Sequence, residues 1–379
     1  MKHVIILGAG KIGRAIAHLL AHSGVYKVKL CDANECVLQV ADSLPNTSSS
    51  VIDVRDARAL INALKGNDAV VCALAFSFSG IVAKAALEAG VSYFDLTEDI
   101  FSTDQVAVVA AKAKDGQVFM PQCGLAPGFT AIVAHSLSQE FEKIDSVQVR
   151  VGALPKYPTN ALKYNLTWST DGLINEYCNT CQAISEGELI EIPALSELDT
   201  FSVDGVRYEA FHTSGGLGTL CKTLEGKARI VNYKTVRYPG HRDLIRFLLD
   251  ELNLRGQRAE LKRILERAIP ITQQDVVLIF CTVSGWIDGQ YTQRTDVRKI
   301  YHAYLDGVHW SAIQITTAAS ICAVVDMTLA KAESTKGFVR QESIELEEFL
   351  ENQFGRHYAH SDESAGRAEL VHSVETQTI

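Results

Sequence analysis

Three glycines near the start of the chain have the spacing of a phosphate-binding turn. They stand in the segment GAGKIG (residues 8–13), directly after the apolar run Val4–Leu7 and before a stretch of helix-forming residues. In such a turn the first glycine allows the sharp bend, the second lets a pyrophosphate approach the backbone, and the third lets the helix pack on the strand. The helix N-terminus offers free N–H groups to the anion. The motif predicts a dinucleotide contact by Gly8, Gly10, Lys11, Ile12 and Gly13.

An acidic residue follows at the distance that a ribose contact requires. Asp32 ends the second predicted strand, where a carboxylate accepts hydrogen bonds from the adenosine ribose hydroxyls. It would repel a 2′-phosphate, and Ala33 and Asn34 follow it rather than an arginine, so the sequence favours NAD over NADP. Further cofactor contacts are expected from Asp53, which ends the third predicted strand, from Leu74, which ends the fourth, and from Gly128, which begins a later helix.

The elements that position these residues alternate between strands and helices. Helical segments with apolar residues three and four positions apart separate six strand-like runs. The expected strands are Val4–Leu7, Lys27–Cys31, Ser50–Asp53, Ala69–Leu74, Ser92–Phe94 and Gln117–Met120, and the expected helices are Ile12–Ser23, Asp56–Leu64, Ser79–Glu88 and Thr103–Lys114. This alternation predicts an α/β fold with a Rossmann doubly wound parallel sheet.

After Pro121 the pattern changes to longer alternating runs. The dipeptides Asp204-Gly205 and Asp288-Gly289 each separate two such runs, which is a strong hairpin signal. We therefore expect a second α+β domain with a largely antiparallel sheet, one face of which would serve a homodimer. The expected divisions are an NAD-binding domain at 1–122, to which a helix at 310–332 returns, a substrate-binding and dimerisation domain at 123–309, a C-terminal helix region at 333–358, and a disordered tail at 359–379.

Several longer strings resemble the saccharopine dehydrogenase-like family and, within it, the lysine 6-dehydrogenase branch. They are YFDLTE (93–98), CGLAPGF (123–129), DGLINEY (171–177), HTSGG (212–216) and KTVRYPGH (234–241), and the similarity covers roughly residues 1–358. Saccharopine reductases have an aspartate where this chain has Ala126, which also favours the lysine 6-dehydrogenase branch.

The resemblance implies NAD-dependent oxidative deamination. Hydride leaves an amine-bearing carbon for the nicotinamide, and water hydrolyses the resulting imine. For the terminal amine of L-lysine this gives a semialdehyde, which cyclises to a piperideine carboxylate, with release of ammonia. Two alternatives remain: a saccharopine dehydrogenase-type C–N oxidoreductase, and a catalytically silent regulator that responds to the dinucleotide.

This chemistry needs a cation for the substrate carboxylate and a group that moves protons. Arg237 is the expected anchor, because guanidinium matches carboxylate in bidentate fashion and the matching arginine is implied to do so in the family; Lys234 is a supporting candidate on the opposite face of the strand. Asp95, Glu98 and His241 are candidates for proton transfer, although an aspartate after a strand often only caps a turn. Thr97, Gly215 and Gly216 are expected to contact the substrate.

Composition excludes several other classes. The formal net charge is −9 and the sequence shows no basic cluster, so we expect no nucleic-acid partner. Nine scattered cysteines indicate reduced thiols and a cytoplasmic protein rather than a disulfide framework. The apolar segment Ser311–Lys331 carries Gln314 and Asp326 and is predicted to be a core helix, so no membrane partner is expected. The dispersed histidines show no H-E-x-x-H or comparable spacing, so we expect no catalytic metal.

Overall fold

The computed structural model describes residues 1–331 and 335–359. In the first third of the chain, short buried strands alternate with helices. The strands are β1 (Lys2–Leu7), β2 (Tyr26–Asp32), β3 (Thr47–Val51), β4 (Ala69–Cys72), β5 (Ser92–Asp95) and β6 (Val118–Met120). The helices are α1 (Lys11–His22), α2 (Ala57–Leu64), α3 (Ser79–Ala89) and α4 (Ile100–Ala110). This is the βαβ alternation that the sequence predicts.

These strands form one parallel sheet. A seventh strand, β17 (Gly337–Phe338), joins it from the far end of the chain, and the order is β17-β6-β5-β4-β1-β2-β3. The strand order reverses between β1 and β4, so the carboxyl ends of these two strands open a crevice in which ligands of such sheets bind. The predicted Rossmann doubly wound sheet is confirmed.

Several boundaries differ from the sequence-based prediction, and a local hydrogen bond accounts for two of them. The third strand ends at Val51, and Asp53 turns out of the sheet to bond Arg55. The fourth helix begins at Ile100, three residues earlier than predicted, because Asp99 caps it by accepting the N–H of Ser102 at 2.7 Å. Aspartate is a favoured residue at both kinds of position.

The second sheet is mixed and mostly antiparallel, as predicted. Its path is β10-β11-β12-β7-β13-β14, and only the β12–β7 pair on this path is parallel. Off this path, β8 pairs with β12, and β9 pairs with β8. Both predicted Asp-Gly hairpins are present. The strands are β7 (Lys143–Pro155), β8 (Cys181–Ser185), β9 (Glu188–Ile192), β10 (Asp199–Val203), β11 (Val206–His212), β12 (Ala228–Arg237), β13 (Asp275–Ile287) and β14 (Gln290–Tyr301).

Short helices cover this sheet and carry part of the site. They are α5 (Phe129–Ser138), α6 (Thr170–Cys178), α7 (Leu220–Leu224), α8 (His241–Arg246) and α9 (Arg258–Ala268). A two-stranded hairpin follows, β15 (Ala303–Leu305) and β16 (Val308–Trp310), and then α10 (Ala312–Ala330) and α11 (Leu346–Glu351). The expected acidic helix near the C-terminus is thus shorter than its sequence suggests. The tail predicted to be disordered falls outside the described residues at positions 360–379. Residues 332–334, at the junction of the predicted α10 segment and the C-terminal helix region, also lie outside them.

Helix α10 joins the two parts of the molecule. It begins with a capping box, in which the Ser311 hydroxyl accepts the N–H of Gln314 and the Gln314 side chain accepts the N–H of Ser311. It packs against α1 on one side and β13 on the other. The helix is long and apolar enough to span a membrane, but 78% of that window is buried inside the protein, as in a core helix.

Candidate active site

The turn between β1 and α1 has the shape that the glycine motif predicts. Gly8 has a φ of 104°, and a Cβ there would lie 2.7 Å from the carbonyl oxygen of Ala73. A Cβ at Gly13 would lie 1.8 Å from the carbonyl oxygen of Gly8. At Gly10, the residue before α1, a Cβ would have no described atom within 4 Å. The fold therefore requires the first and third glycines, while the second leaves the helix N-terminus open to an anion, as a pyrophosphate needs.

We expect substitution by alanine to have different effects at the second and third glycines of this turn. Gly13→Ala forces a methyl group onto Gly8 and destabilises the fold by roughly 1–3 kcal/mol. Gly10→Ala keeps the wild-type melting temperature but weakens dinucleotide binding about tenfold or more, a loss of ~1.4 kcal/mol, because its methyl group stands where the pyrophosphate approaches. Thermal unfolding and fluorescence titration with NADH measure the two effects. An NADH affinity of Gly10→Ala equal to that of the wild type would contradict the assignment of this turn to the pyrophosphate.

Asp32 ends β2 beside the glycine turn. Its Oδ2 accepts the N–H of Ala9 at 2.8 Å and its Oδ1 accepts the N–H of Asn34 at 2.9 Å. The predicted ribose-binding carboxylate therefore lies next to the predicted pyrophosphate position. Asp53 is different, because its exposed carboxylate bonds the guanidinium of Arg55, which lowers the pKa of Asp53. That ion pair neutralises Asp53 locally and gives no support to its predicted cofactor contact.

A cavity of about 190 Å³ lies where the carboxyl ends of the Rossmann strands face the second sheet. One wall comes from the Rossmann side, one from the loop between β6 and α5, and one from α6 and β12. Its lining includes Ile12, Leu74, Phe76, Leu96, Thr97, Glu98, Gly124, Leu125, Ala126, Pro127, Trp168, Asp171, Glu176, Tyr233, Thr235 and Arg237. Five residues predicted from the sequence therefore line this cleft: Ile12, Leu74, Thr97, Glu98 and Arg237.

Arg237 is the buried cation of the cleft, only 3% exposed at the end of β12. Its guanidinium lies 4.9 Å from the ring centre of Tyr164 and 5.9 Å from that of Tyr177. Its Nε donates to the Tyr177 hydroxyl at 3.0 Å, and its Nη1 donates to the carbonyl of Val236 at 2.9 Å. Its Nη2 lies 3.6 Å from Oε2 of Glu176. These contacts fix the orientation of the fork and leave Nη2 for a bound anion.

Glu176, on α6, forms the other half of a charge pair with Arg237. Its Oε2 is buried and accepts no hydrogen bond from any described residue. Burial raises the pKa of Glu176 to about 7; Arg237 opposes that increase and Glu98 adds to it. A buried carboxylate oxygen without a donor is unfavourable unless a ligand supplies one. Glu176 is therefore suited to bind an ammonium group.

Glu98 lies on the Rossmann wall of the cleft, in the loop after β5. Burial raises the pKa of Glu98, and the side-chain amide of Asn175 donates to its Oε1 at 3.5 Å. Gly215 packs behind it, since a Cβ at Gly215 would lie 2.9 Å from the Cβ of Glu98. Gly216 packs in the same way on the ring of Tyr233. Gly215 and Gly216 thus support the walls of the cleft, whereas their place in the sequence predicts contact with the substrate.

Asp95 has a structural role, which corrects its predicted part in proton transfer. It is 1% exposed and does not line the cleft. Its carboxylate accepts hydrogen bonds from the Tyr93 hydroxyl at 2.6 Å, the Thr97 N–H at 3.0 Å and the Gln122 N–H at 2.9 Å. Burial raises the pKa of Asp95, and these bonds oppose the increase. Asp95 therefore ties the ends of β5 and β6 together, as the capping alternative describes.

His241 lies behind Arg237 rather than in the cleft. Its Nδ1 donates to the carbonyl of Leu162 at 2.8 Å, which leaves Nε2 to accept the Tyr177 hydroxyl proton at 2.9 Å. Burial, with Arg237 adding to it, lowers the pKa of His241 to about 3. A neutral, enclosed imidazole cannot collect a substrate proton. His241 instead positions Tyr177, and through it the guanidinium of Arg237.

Three other predicted residues lie outside the cleft. Lys234 is on the opposite face of β12 from Arg237, and its Nζ bonds Asp199 at 2.9 Å, so it does not support the anchor. Gly128 has a φ of 137°, and a Cβ there would lie 2.0 Å from the carbonyl oxygen of Gly124, so the loop requires glycine at this position, and its cofactor contact stays a prediction. The Nζ of Lys11 points to a backbone oxygen of the segment before α6, 3.4 Å away.

Sequence reasoning missed Glu176 and the aromatic wall formed by Trp168. The string DGLINEY that contains Glu176 carried the family resemblance, but nothing in its spacing separates this carboxylate from Asp171. The difference is tertiary, because Asp171 is bonded by Lys262 at 2.6 Å whereas Glu176 faces Arg237.

Family models match nearly the whole chain. The saccharopine dehydrogenase NADP binding domain matches residues 4–120, and the saccharopine dehydrogenase C-terminal domain matches residues 124–356. Among curated proteins, the chain is 22% identical over 261 residues to saccharopine dehydrogenase (NADP+, L-glutamate-forming) of Schizosaccharomyces pombe, covering 66% of this chain and 58% of that one. It is 25% identical over 234 residues to alpha-aminoadipic semialdehyde synthase of Arabidopsis thaliana, covering 52% and 21%. The chain thus spans under two thirds of either relative.

Solved structures give the same fold. Apo saccharopine dehydrogenase (L-Glu forming) from Saccharomyces cerevisiae aligns with a TM-score of 0.77 at 17% identity, covering 93% of this chain and 97% of that one. Homospermidine synthase from Legionella pneumophila in complex with NAD aligns with a TM-score of 0.66 at 13% identity, covering 94% and 89%. Since the C-terminal model alone matches more than half of the chain, this protein belongs to the saccharopine dehydrogenase family.

Proposed function

We propose that this protein is an NAD-dependent amine dehydrogenase that oxidises the terminal amine of L-lysine to the semialdehyde, which cyclises to a piperideine carboxylate, with release of ammonia. The observation that carries the proposal is the placement of charge in the cleft. Arg237 and Glu176 form a cation–anion pair 3.6 Å apart on one wall, and Glu98 lies on the Rossmann wall. An α-amino acid with a second, distal amine has the complementary charges.

The charge pair is suited to the head group of an amino acid. The α-carboxylate would bind the fork of Arg237, whose other nitrogens are already held by Tyr177 and Val236. The α-ammonium would fill the unsatisfied Oε2 of Glu176. Because both partners are fixed before the substrate arrives, little ordering is required on binding.

Glu98 is the proposed proton acceptor for the distal amine. This amine must lose a proton before its carbon can give up hydride, and the pKa of Glu98, raised by burial, suits it to accept one. When bound, the nicotinamide supplies the hydride acceptor. After releasing the amine proton to solvent, Glu98 would take a proton from the water that attacks the imine and return a proton to the departing ammonia.

The residues of the first domain fit a dinucleotide, and Asp32 favours NAD. The matching family model is described as NADP binding, whereas the homospermidine synthase structure contains NAD. In this chain a carboxylate stands at the end of β2, bonded to Ala9 and Asn34, where a 2′-phosphate would be repelled.

The cofactor preference is testable with one substitution and a matched control. Asp32→Ser removes the charge that repels a 2′-phosphate, so the ratio of kcat/KM with NAD+ to that with NADP+ is expected to fall by about tenfold or more, ~1.4 kcal/mol. Asp53→Ser, which removes an exposed carboxylate neutralised by Arg55, should leave the ratio unchanged. Initial rates with both cofactors measure it. An unchanged ratio in Asp32→Ser would count against the ribose contact.

A saccharopine dehydrogenase-type C–N oxidoreductase is the second candidate, favoured by the family models and the curated relatives. Saccharopine carries additional carboxylates and would need further cations. Among the described residues that line the cleft, Arg237 is the one cationic side chain, while Glu98, Asp171 and Glu176 are acidic. This balance supports a substrate with fewer carboxylates and more ammonium groups.

The deciding experiment measures NADH formation by the purified protein with L-lysine, saccharopine and L-ornithine at alkaline pH. Turnover of lysine alone supports the proposal. Turnover of saccharopine in place of lysine selects the second candidate. Dinucleotide binding without turnover of any amine would instead favour a silent regulator.

The proposed role of Glu176 predicts a pH dependence. Its pKa is raised to about 7, so the ionised form that binds an ammonium is present above that pH and is lost below it. We expect 1/KM for lysine to rise with pH through about 7. Glu176→Gln should raise KM roughly tenfold, about 1.4 kcal/mol, and abolish that rise. Steady-state rates from pH 5.5 to pH 9 provide the measurement, and 6-aminohexanoate, which lacks the α-amine, should show neither change.

A further inference from the structure

Two histidines and an aspartate meet at the end of α1 that is remote from the cleft. His18 and His22 are one helical turn apart on α1, and Asp306 lies in the turn between β15 and β16. One ligand atom from each of the three lies within 4.8 Å of the others. Nothing in the proposed reaction uses these residues, since α1 runs about 16 Å from its N-terminus at the dinucleotide turn to His22.

The ring of His22 is oriented as that of a metal ligand is. The Nδ1 of His22 donates to the carbonyl of His18 at 2.9 Å, so the lone pair of Nε2 is free for a cation, and such a bond to the second nitrogen commonly fixes a metal-bound histidine. The Nε2 of His18 donates to the carbonyl oxygen of Leu305 at 3.1 Å and lies 3.5 Å from Oδ2 of Asp306, so its proton moves to Nδ1 when Nε2 binds an ion.

We propose that His18, His22 and Asp306 bind a divalent transition-metal ion of the Zn²⁺ class. Two imidazole nitrogens one helical turn apart with a carboxylate form a common donor set for this ion, and the Leu305 carbonyl or a water completes four ligands. Ligand atoms of a tetrahedral zinc site lie about 3.3 Å apart, given bonds of about 2.0 Å. The side chain of Asp306 is exposed and can rotate to close that gap.

The bound ion would tether two segments that are far apart in the chain. Helix α1 starts at the dinucleotide turn, whereas the β15–β16 hairpin directly precedes α10. In the described residues, contact between this hairpin and α1 includes the His18–Leu305 bond and the packing of His18 on Trp310. Arg356 lines a surface cavity together with His22 and Asp306 and opposes a cation, so the site should bind Zn²⁺ more weakly than a closed structural site.

The test uses the full chain after removal of metals with a chelator. Calorimetric titration with Zn²⁺ should show one equivalent bound, with a melting temperature that rises with Zn²⁺ concentration. His22→Ala and Asp306→Asn, both at exposed positions, should each weaken binding by at least about tenfold, ~1.4 kcal/mol, without lowering the melting temperature of the metal-free protein. His3→Ala, an exposed histidine elsewhere, is the matched control and should bind as the wild type does.

Two results would overturn the site. One is no Zn²⁺ binding by the wild type. The other is wild-type affinity in both His22→Ala and Asp306→Asn, which would place the ion elsewhere, for example on the exposed thiol of Cys36. Co²⁺ substitution separates these cases, because a thiolate ligand adds an intense near-ultraviolet band that a nitrogen and oxygen site lacks. Both readouts are independent of enzyme activity, so failure of the proposed lysine oxidation would leave this test intact.

Discussion

Glu98→Gln is expected to lower kcat for lysine oxidation by about 10²–10⁴-fold, the usual contribution of a positioned general base. Glutamine keeps the size of the side chain and an oxygen that accepts the amide of Asn175, so the walls of the cleft should stay in place. What is lost is the group that removes the ammonium proton. Stopped-flow or steady-state formation of NADH measures the change, and KM should move far less than kcat.

The pH profile separates loss of a base from distortion of the site. Without Glu98, the substrate amine must deprotonate in solution, so the activity of Glu98→Gln should keep increasing up to pH values near the pKa of a free lysine amine, about 10.4. The control is Asp171→Asn, which alters another carboxylate of the cleft that Lys262 already pairs. That variant should retain wild-type kcat. A Glu98→Gln profile parallel to that of the wild type would exclude Glu98 as the base.

The dinucleotide half of the site was predictable because its requirements are local. Gly8 and Gly13 are fixed by backbone atoms that a Cβ would strike, and Asp32 by its place at the end of β2. Such steric demands depend on a few neighbouring residues, so they leave a pattern in the sequence. The same holds for the Asp-Gly hairpins of the second sheet.

The reacting half of the site was predictable only in part, because its residues are distinguished by what packs around them. Asp95 and His241 had suitable chemistry and suitable positions in the chain. The carboxylate of Asp95, however, accepts three hydrogen bonds from neighbouring residues, and the ring of His241 is buried behind Tyr177. The sequence around Glu176 has no pattern that marks it as a site residue. Its role is indicated only by the packing of α6 against β12, which places it beside Arg237. Hydrogen-bond saturation and burial depend on tertiary contacts, which residue type and spacing do not encode.

Arg237→Lys is expected to raise KM for lysine by roughly 100-fold, about 3 kcal/mol, while kcat changes little. Lysine at this position keeps the charge but loses the planar fork, and its ammonium cannot keep both the bond to the Tyr177 hydroxyl and a bidentate contact with a carboxylate. The comparison substrate is cadaverine, which is lysine without the carboxylate. Its KM should change less than about threefold in the variant, since the anchor has nothing to bind.

Arg237 also supports the fold, and the pair of substrates separates the two roles. It lies against Tyr164 and Tyr177 and beside Glu176, so a disturbed site would impair all substrates together. Loss of a carboxylate anchor weakens the binding only of substrates that have a carboxylate, so KM for 6-aminohexanoate should rise by the same factor as KM for lysine. Tyr177→Phe removes the bond that orients the guanidinium but leaves its charge, and should raise KM for lysine by a smaller factor than Arg237→Lys. Equal losses for lysine and cadaverine in Arg237→Lys would reassign this residue from substrate recognition to the structure of the cleft.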